Sequence, residues 1–354
     1  MFSTLSEYSD YARKLMANQQ WNDFFHVVTK MRNSFPESAE VFFLFGMYKI
    51  QLRQFNEAKF FFGECIAIDE TRFDAAVQLA NIYLREINYC QAFELIKQYE
   101  SAMFSNSYYL NMSANLLTAI GCHGEALIFF KKAHELQPDS DTILFNLAKS
   151  MILSGEAEQA ETILNQLIIK YPHYQKFHYE LSKLKSAIDS QHIKIMEKVL
   201  RNSSSSQNIF LHYALGKEYE DLKEWDKSFQ HYYLGGKEAL KQSRYNVNDE
   251  INVMNVIMQK CNASWLQSAR NKQTPNSVNN TQKTPIFIVG LPRTGTTLIE
   301  RILASHSAVE SADETFLIPL AINRLTGLDS LAKFDEDVVS SVCKISSSKL
   351  AEMY

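Results

Sequence analysis

One short run of the chain, Gly290-Leu-Pro-Arg-Thr-Gly-Thr-Thr297, combines residues that could hold a multiply charged anion. Gly290 and Gly295 permit a tight turn and a close approach of backbone to ligand. The N–H groups around Gly295, Thr296 and Thr297 point out of the start of an amphipathic stretch, Leu298 to Ser305, where a helix carries its partial positive charge. The glycine spacing matches that of a nucleotide-binding P-loop, G-x-x-x-x-G-K-[ST], but Thr296 stands where the lysine belongs. Positive charge comes instead from Arg293, whose planar guanidinium can grip two oxygens of one phosphate or sulfate. The candidate anion-binding residues on this reading are Arg293, Gly295, Thr296 and Thr297, in a loop that also holds Pro292 and Thr294. A nucleoside triphosphatase is disfavoured by Thr296 and by the lack of a second strand ending in a magnesium-binding aspartate.

Such a loop needs a strand before it and a helix after it. Ile286, Phe287, Ile288 and Val289 form a short apolar run between Pro285 and Gly290, the pattern of a buried parallel strand. Residues 271–284 are rich in Asn, Gln, Lys, Thr and Ser, which marks a flexible linker. Before it, 243–270 reads as a linker or capping segment, with one helix over Tyr245 to Arg270 packing the end of what precedes.

What precedes is periodic. Ala58, Ala92, Ala126 and Ala160 recur every 34 residues; Phe62, Ile96, Phe130 and Leu164 follow four places later, and Pro36, Pro138 and Pro172 share one phase. The small residue lets two antiparallel helices approach, the large one fills the gap a turn later, and proline stops the second helix. A frame from residue 5 gives about seven units, starting at 5, 39, 73, 107, 141, 175 and 209 and ending at 242. The first carries Phe24 at the small position. The sixth is degenerate, with Lys194 there and four serines at 203–206, so its helices are expected to be offset.

Residues 5–242 resemble the tetratricopeptide-repeat family. That resemblance implies a right-handed superhelix with a concave groove that takes a protein or peptide. In this frame Phe43, Met47, Asn81, Asn111 and Asn115 should line the groove, either as a peptide-binding surface or as ordinary packing and solvated positions. The order Pro-Arg-Thr-Gly-Thr-Thr-Leu after an apolar strand resembles the 5′-phosphosulfate loop of sulfotransferases that use 3′-phosphoadenosine-5′-phosphosulfate (PAPS) as co-substrate. Ser305-His306, Val309, Asp313-Glu314-Thr315 and Ile318-Pro319 resemble the tyrosylprotein sulfotransferase branch, and the whole order resembles bacterial tetratricopeptide-repeat sulfotransferases. The resemblance implies Glu314 as the catalytic base toward an acceptor hydroxyl, protein tyrosine being one candidate, with Arg293 as its catalytic partner stabilising charge on the donor. Glu314 also suits a plain role as an acid at a helix N-terminus. No metal is needed for this chemistry. His306 reads as helix-end structure.

The fold class is thus mainly α: a tetratricopeptide solenoid followed by an incomplete α/β, P-loop-like sulfotransferase domain. Residues 285–354 hold one strand and two later helices, Leu317 to Leu331 and Asp335 to Met353. They lack the family's second motif, with an arginine and a serine for the 3′-phosphate. The expectation is the N-terminal part of a longer enzyme or a natural truncation, weak or inactive alone. The rival reading is a tetratricopeptide scaffold with a vestigial tail.

Composition narrows the setting. The chain has 354 residues, 46% of them hydrophobic, and a net charge of −4, so nothing drives non-specific binding to nucleic acid. Five scattered cysteines suit neither a disulfide framework nor a zinc site, and no run is long and apolar enough to span a membrane. The polar N-terminus carries no signal-like apolar region, and the reading is cytoplasmic.

Overall fold

The structure, a computed structural model, describes residues 4–202, 208–243, 245–271, 285–291, 293–311, 317–326, 335–346 and 349–350. It divides into two compact units, residues 1–243 and 244–354.

The first unit is a solenoid of helix pairs. These are α1 (Leu5–Ala17) with α2 (Trp21–Ser34), α3 (Ala39–Gln51) with α4 (Phe55–Ile68), and α5 (Phe73–Arg85) with α6 (Tyr89–Gln98). After the single turn α7 (Glu100–Met103) come α8 (Ser107–Ile120) with α9 (His123–Leu136) and α10 (Asp141–Leu153) with α11 (Ala157–Lys170). The last pairs are α12 (Gln175–Leu184) with α13 (Gln191–Asn202) and α14 (Ile209–Asp221) with α15 (Trp225–Gln242). Both helices of every pair start 34 residues after their counterparts, and the first helices start at the seven residues of the sequence frame.

Packing explains the period. The eighth place of each unit, Ala12, Gly46, Ala80, Ala114, Ala148, Ser182 and Gly216, is small and buried. Ala58, Ala92, Ala126 and Ala160 on the second helices are fully buried, and Ser228 replaces alanine by donating its hydroxyl to the Gly216 carbonyl at 2.8 Å. The turn inside a pair needs one left-handed residue. Gln19, Arg53, Ile87, Gly121, Gly155 and Lys223 fill that place, all with φ between 57° and 93°, again 34 apart with only the sixth unit missing.

The sixth unit departs differently from the expectation. Its second helix keeps the 34-residue start, so there is no offset along the chain. Lys194 points to solvent, and the buried face passes to Ile193, Met196 and Val199, a roll of about 100° for a one-residue shift. With no small residue to admit a close neighbour, α13 packs instead beside α14, while α12 packs on α11 and α14.

The second unit starts with α16 (Val247–Lys260) and α17 (Ala263–Asn271), where one helix was expected over Tyr245 to Arg270. Asn262 makes the break: its Nδ2 donates to the Gln259 carbonyl and its Oδ1 accepts from the Trp265 N–H, capping the new helix. Next come α18 (Thr296–Ala304), α19 (Leu317–Thr326) and α20 (Glu336–Val342). Helix α20 packs on α16 and α19, burying Val338, Val339, Val253, Ala321 and Ile322. The helix expected from Leu317 to Leu331 is present over Leu317–Thr326, its remainder lying outside the described residues; the one expected from Asp335 to Met353 is helical over Glu336–Val342, breaks over 343–346, and is helical again at Lys349 and Leu350.

No strand occurs among the described residues. The strand expected at Ile286 to Val289 is irregular backbone, with Ile286 62% and Val289 90% exposed. A strand exists only in a hydrogen-bonded ladder, and no described segment offers this run a ladder partner.

Candidate functional site

The Gly290–Thr297 loop is built for backbone exposure. A Cβ on Gly290 would lie 2.8 Å from Thr294 Oγ1 and 2.9 Å from Thr296 Cγ2, so only glycine lets the chain double back here. Thr294 closes the turn, its N–H and hydroxyl donating to the Leu291 carbonyl at 3.3 and 2.6 Å. Gly295, at φ 95°, is the N-cap of α18 and brings no capping side chain. Pairing within the helix starts with the Ile299 N–H on the Gly295 carbonyl, which leaves the N–H groups of Thr296, Thr297 and Leu298 at the positive end without a side-chain cap.

Arg293 sits within this turn at φ 68°, exposed and without an ion-pair partner among the described residues. A left-handed arginine is uncommon, and here it carries a guanidinium on the loop whose helix start has no side-chain cap among the described residues. Thr294, Gly295, Thr296 and Thr297 thus share one turn with Arg293. Pro292 and Glu314, with Asp313 and Thr315, lie outside the described residues. His306 ends the helix: its backbone N–H donates to the Leu303 carbonyl and its Nδ1 accepts from the Ala308 N–H. Among the described residues no cluster of three or more His, Cys, Asp or Glu could hold a metal ion.

A cavity forms between α5 and α8, the first helices of the third and fourth units. Asn81, Tyr108, Asn111, Met112, Asn115 and Leu116 line it, a volume of about 400 Å³. Asn146 donates to Asn111 Oδ1 at 3.0 Å, and Asn115 Nδ2 donates to the Asn111 carbonyl at 2.8 Å, so the amides are held in fixed orientations. Met47 is half-buried. Phe43 is no groove residue: it is 1% exposed, with Arg13 and Arg72 over its ring and Glu40 joining both guanidinium groups at 2.8 Å. Asp74 pairs with Arg72 at 2.7 Å and completes the network.

Comparison with known proteins adds two family matches. Residues 285–346 match the sulfotransferase family and residues 121–184 a tetratricopeptide repeat. The chain joins tetratricopeptide repeats to a sulfotransferase-family segment. An uncharacterized protein of Aquifex aeolicus (strain VF5) is 24% identical over 247 residues, which are 65% of this chain and 31% of that protein, so the match spans about a third of the relative's length. Solved structures with similar folds include YrrB, described as a TPR protein with an unusual peptide-binding site (16% identity, 57% of this chain, 96% of that chain, TM-score 0.41). A tetratricopeptide-repeat protein of Parabacteroides merdae (13% identity, 68% and 94% covered, TM-score 0.46) and pilF of Pseudomonas aeruginosa (17% identity, 56% and 90%, TM-score 0.43) are others.

The sulfotransferase-family segment contains the whole loop and the position of Glu314. No helix among the described residues is long and apolar enough to cross a membrane.

Sequence reasoning missed a buried polar chain in the repeats. His178 is fully buried, its Nε2 2.8 Å from the Pro172 carbonyl and its Nδ1 2.8 Å from His192 Nε2; His192 Nδ1 meets Glu218 Oε1 at 2.5 Å. The Pro172 carbonyl can only accept, so His178 Nε2 carries the hydrogen and Nδ1 accepts from His192. Burial pushes the His178 imidazole down to about 4; His192 and His173 act in the same direction, and the bond to Pro172 opposes them. Beside this chain, His212 Nδ1 meets His231 Nδ1 at 3.0 Å and both rings are lowered, chiefly by burial. The frame places His178 on a first helix and His192 on a second, yet nothing in the sequence said that α13 had rolled toward α14.

Proposed function

We propose that the Gly290–Thr297 loop binds the 5′-phosphosulfate of PAPS and that the protein to which this chain belongs transfers the sulfuryl group to a hydroxyl acceptor. The observation that carries this reading is Arg293 on the same left-handed turn as the uncapped N–H groups of α18. A guanidinium and amides at a helix N-terminus suit a phosphosulfate, whose bridging oxygen gains charge as the sulfur–oxygen bond to phosphate breaks. The acceptor oxygen bonds to sulfur while Glu314, by family resemblance, takes the hydroxyl proton. The products are a sulfate ester and 3′-phosphoadenosine-5′-phosphate. Asn81, Asn111 and Asn115 would present amide donors and acceptors to the backbone of an extended polypeptide, which supports a protein acceptor or partner in the groove.

Calorimetric titration with 3′-phosphoadenosine-5′-phosphate tests the donor site. Binding should weaken by about ten- to a hundred-fold in Arg293→Ala, the worth of one charge-assisted contact of about 1.5–3 kcal/mol. Equal affinity in the variant, or no binding by the wild type, would remove the loop from the donor site.

A further inference from the structure

Two thiols that the sequence holds far apart meet in the second unit. Cys261 Sγ and Cys343 Sγ are 3.6 Å apart although 82 residues separate them. Each residue is the C-cap of a helix, Cys261 of α16 and Cys343 of α20. The contact is braced by Trp265, whose Nε1 donates to the Cys343 carbonyl at 3.2 Å, and by the packing of α20 on α16. Cys261 is exposed and Cys343 partly so, while among the other thiols Cys65 is buried. Burial pushes the Cys343 thiol up, with the neighbouring Cys261 adding to the shift and Lys260 opposing it.

We propose that Cys261 and Cys343 form a reversible dithiol–disulfide pair, oxidised by small-molecule disulfides, that ties the C-terminal ends of α16 and α20 together. The exposed Cys261 thiolate attacks one sulfur of the small disulfide, forming a mixed disulfide and releasing one small thiolate. Cys343, deprotonated as it attacks, then displaces the second small thiolate from Cys261 Sγ. The two protein thiols lose two electrons and two protons, and one small disulfide becomes two small thiols. A sulfur already within 4 Å needs only a side-chain rotation and a small approach to reach bonding distance, about 2.05 Å. The bond closes a loop that contains the entire Gly290–Thr297 segment. A reducing compartment is compatible with it, because disulfides found there are transient and sensing rather than structural.

The test is incubation of the full chain with glutathione disulfide, trapping of remaining thiols with N-ethylmaleimide, and peptide mapping by mass spectrometry. The expected product is a crosslinked pair of peptides containing Cys261 and Cys343, two hydrogens lighter than the reduced pair and restored by dithiothreitol. In Cys343→Ser, Cys261 should stop at the glutathione adduct. A wild-type chain that also stops at that adduct, or that links Cys261 to Cys90 instead, would overturn the proposal. The readout does not depend on donor binding, so it stands or falls apart from the sulfuryl-transfer reading.

Discussion

Acidification should loosen the repeat array around its sixth unit, and His178 sets by how much. Its imidazole is held near 4 against an ordinary value of 6.5, because it is sealed from water and its Nδ1 already accepts a hydrogen bond from His192. In the window between those two values the unfolded chain binds a proton that the folded chain refuses. Stability must therefore fall as pH falls from about 6.5 toward 4 and is retained above that window. For one group with these two values, moving from about pH 7 to about pH 5 removes roughly 2 kcal/mol, and full passage through the window about 3 kcal/mol. His212 and His231, also lowered by burial, act with the same sign. The measurement is urea unfolding followed by far-ultraviolet circular dichroism at both pH values, for the wild type and for His178→Gln, which keeps a donor for the Pro172 carbonyl. The variant should be less stable than the wild type near neutrality, and the gap should narrow by about 2 kcal/mol at about pH 5. A gap that stays constant across the two pH values would refute the reasoning, since titration elsewhere in the chain cancels in that comparison.

The helix interfaces make two further predictions. Gly46→Ala should destabilise by about 1–3 kcal/mol despite alanine's higher helix propensity, because its Cβ would lie 2.5 Å from the buried ring of Phe62; Gly63→Ala, where nothing lies within 4 Å, should stabilise by about 0.5–1 kcal/mol. Paired thermal melts in which Gly46→Ala did not lower Tm would show that Phe62 can move. At the intra-pair turns, Arg53→Gly should stabilise by about 0.5–1 kcal/mol by relieving an exposed left-handed residue, whereas Gly155→Ala should destabilise. Chemical denaturation reads both, and an Arg53→Gly chain that loses stability would mean that the turn is not strained.

How much of this was legible in the sequence follows from the distance over which each feature is decided. The 34-residue repeats were legible because every decision is local: an alanine on one helix and a large residue four places on suffice to pair it with its neighbour. The left-handed turns share that period, yet only Gly121 and Gly155 advertised them; Gln19, Arg53, Ile87 and Lys223 take the same backbone because the helices on either side demand it. The roll of α13 was half-visible, since Lys194 announced that the small position was lost but not that Ile193 would replace it or that a half-buried His192 would meet the buried His178. At the Gly290–Thr297 loop the turn and the helix start were legible and the strand before them was not. Arg293, Gly295 and the helix start depend on a handful of consecutive residues, which is why the turn forms as the spacing requires. A strand depends on a partner elsewhere in the chain, and Ile286 to Val289 show the consequence: apolar, β-branched residues supply the preference for a strand, but preference without a ladder leaves irregular backbone and exposed side chains. The same rule explains why Cys261 and Cys343 looked unrelated, since only the packing of α20 on α16 brings two helix ends 82 residues apart into contact.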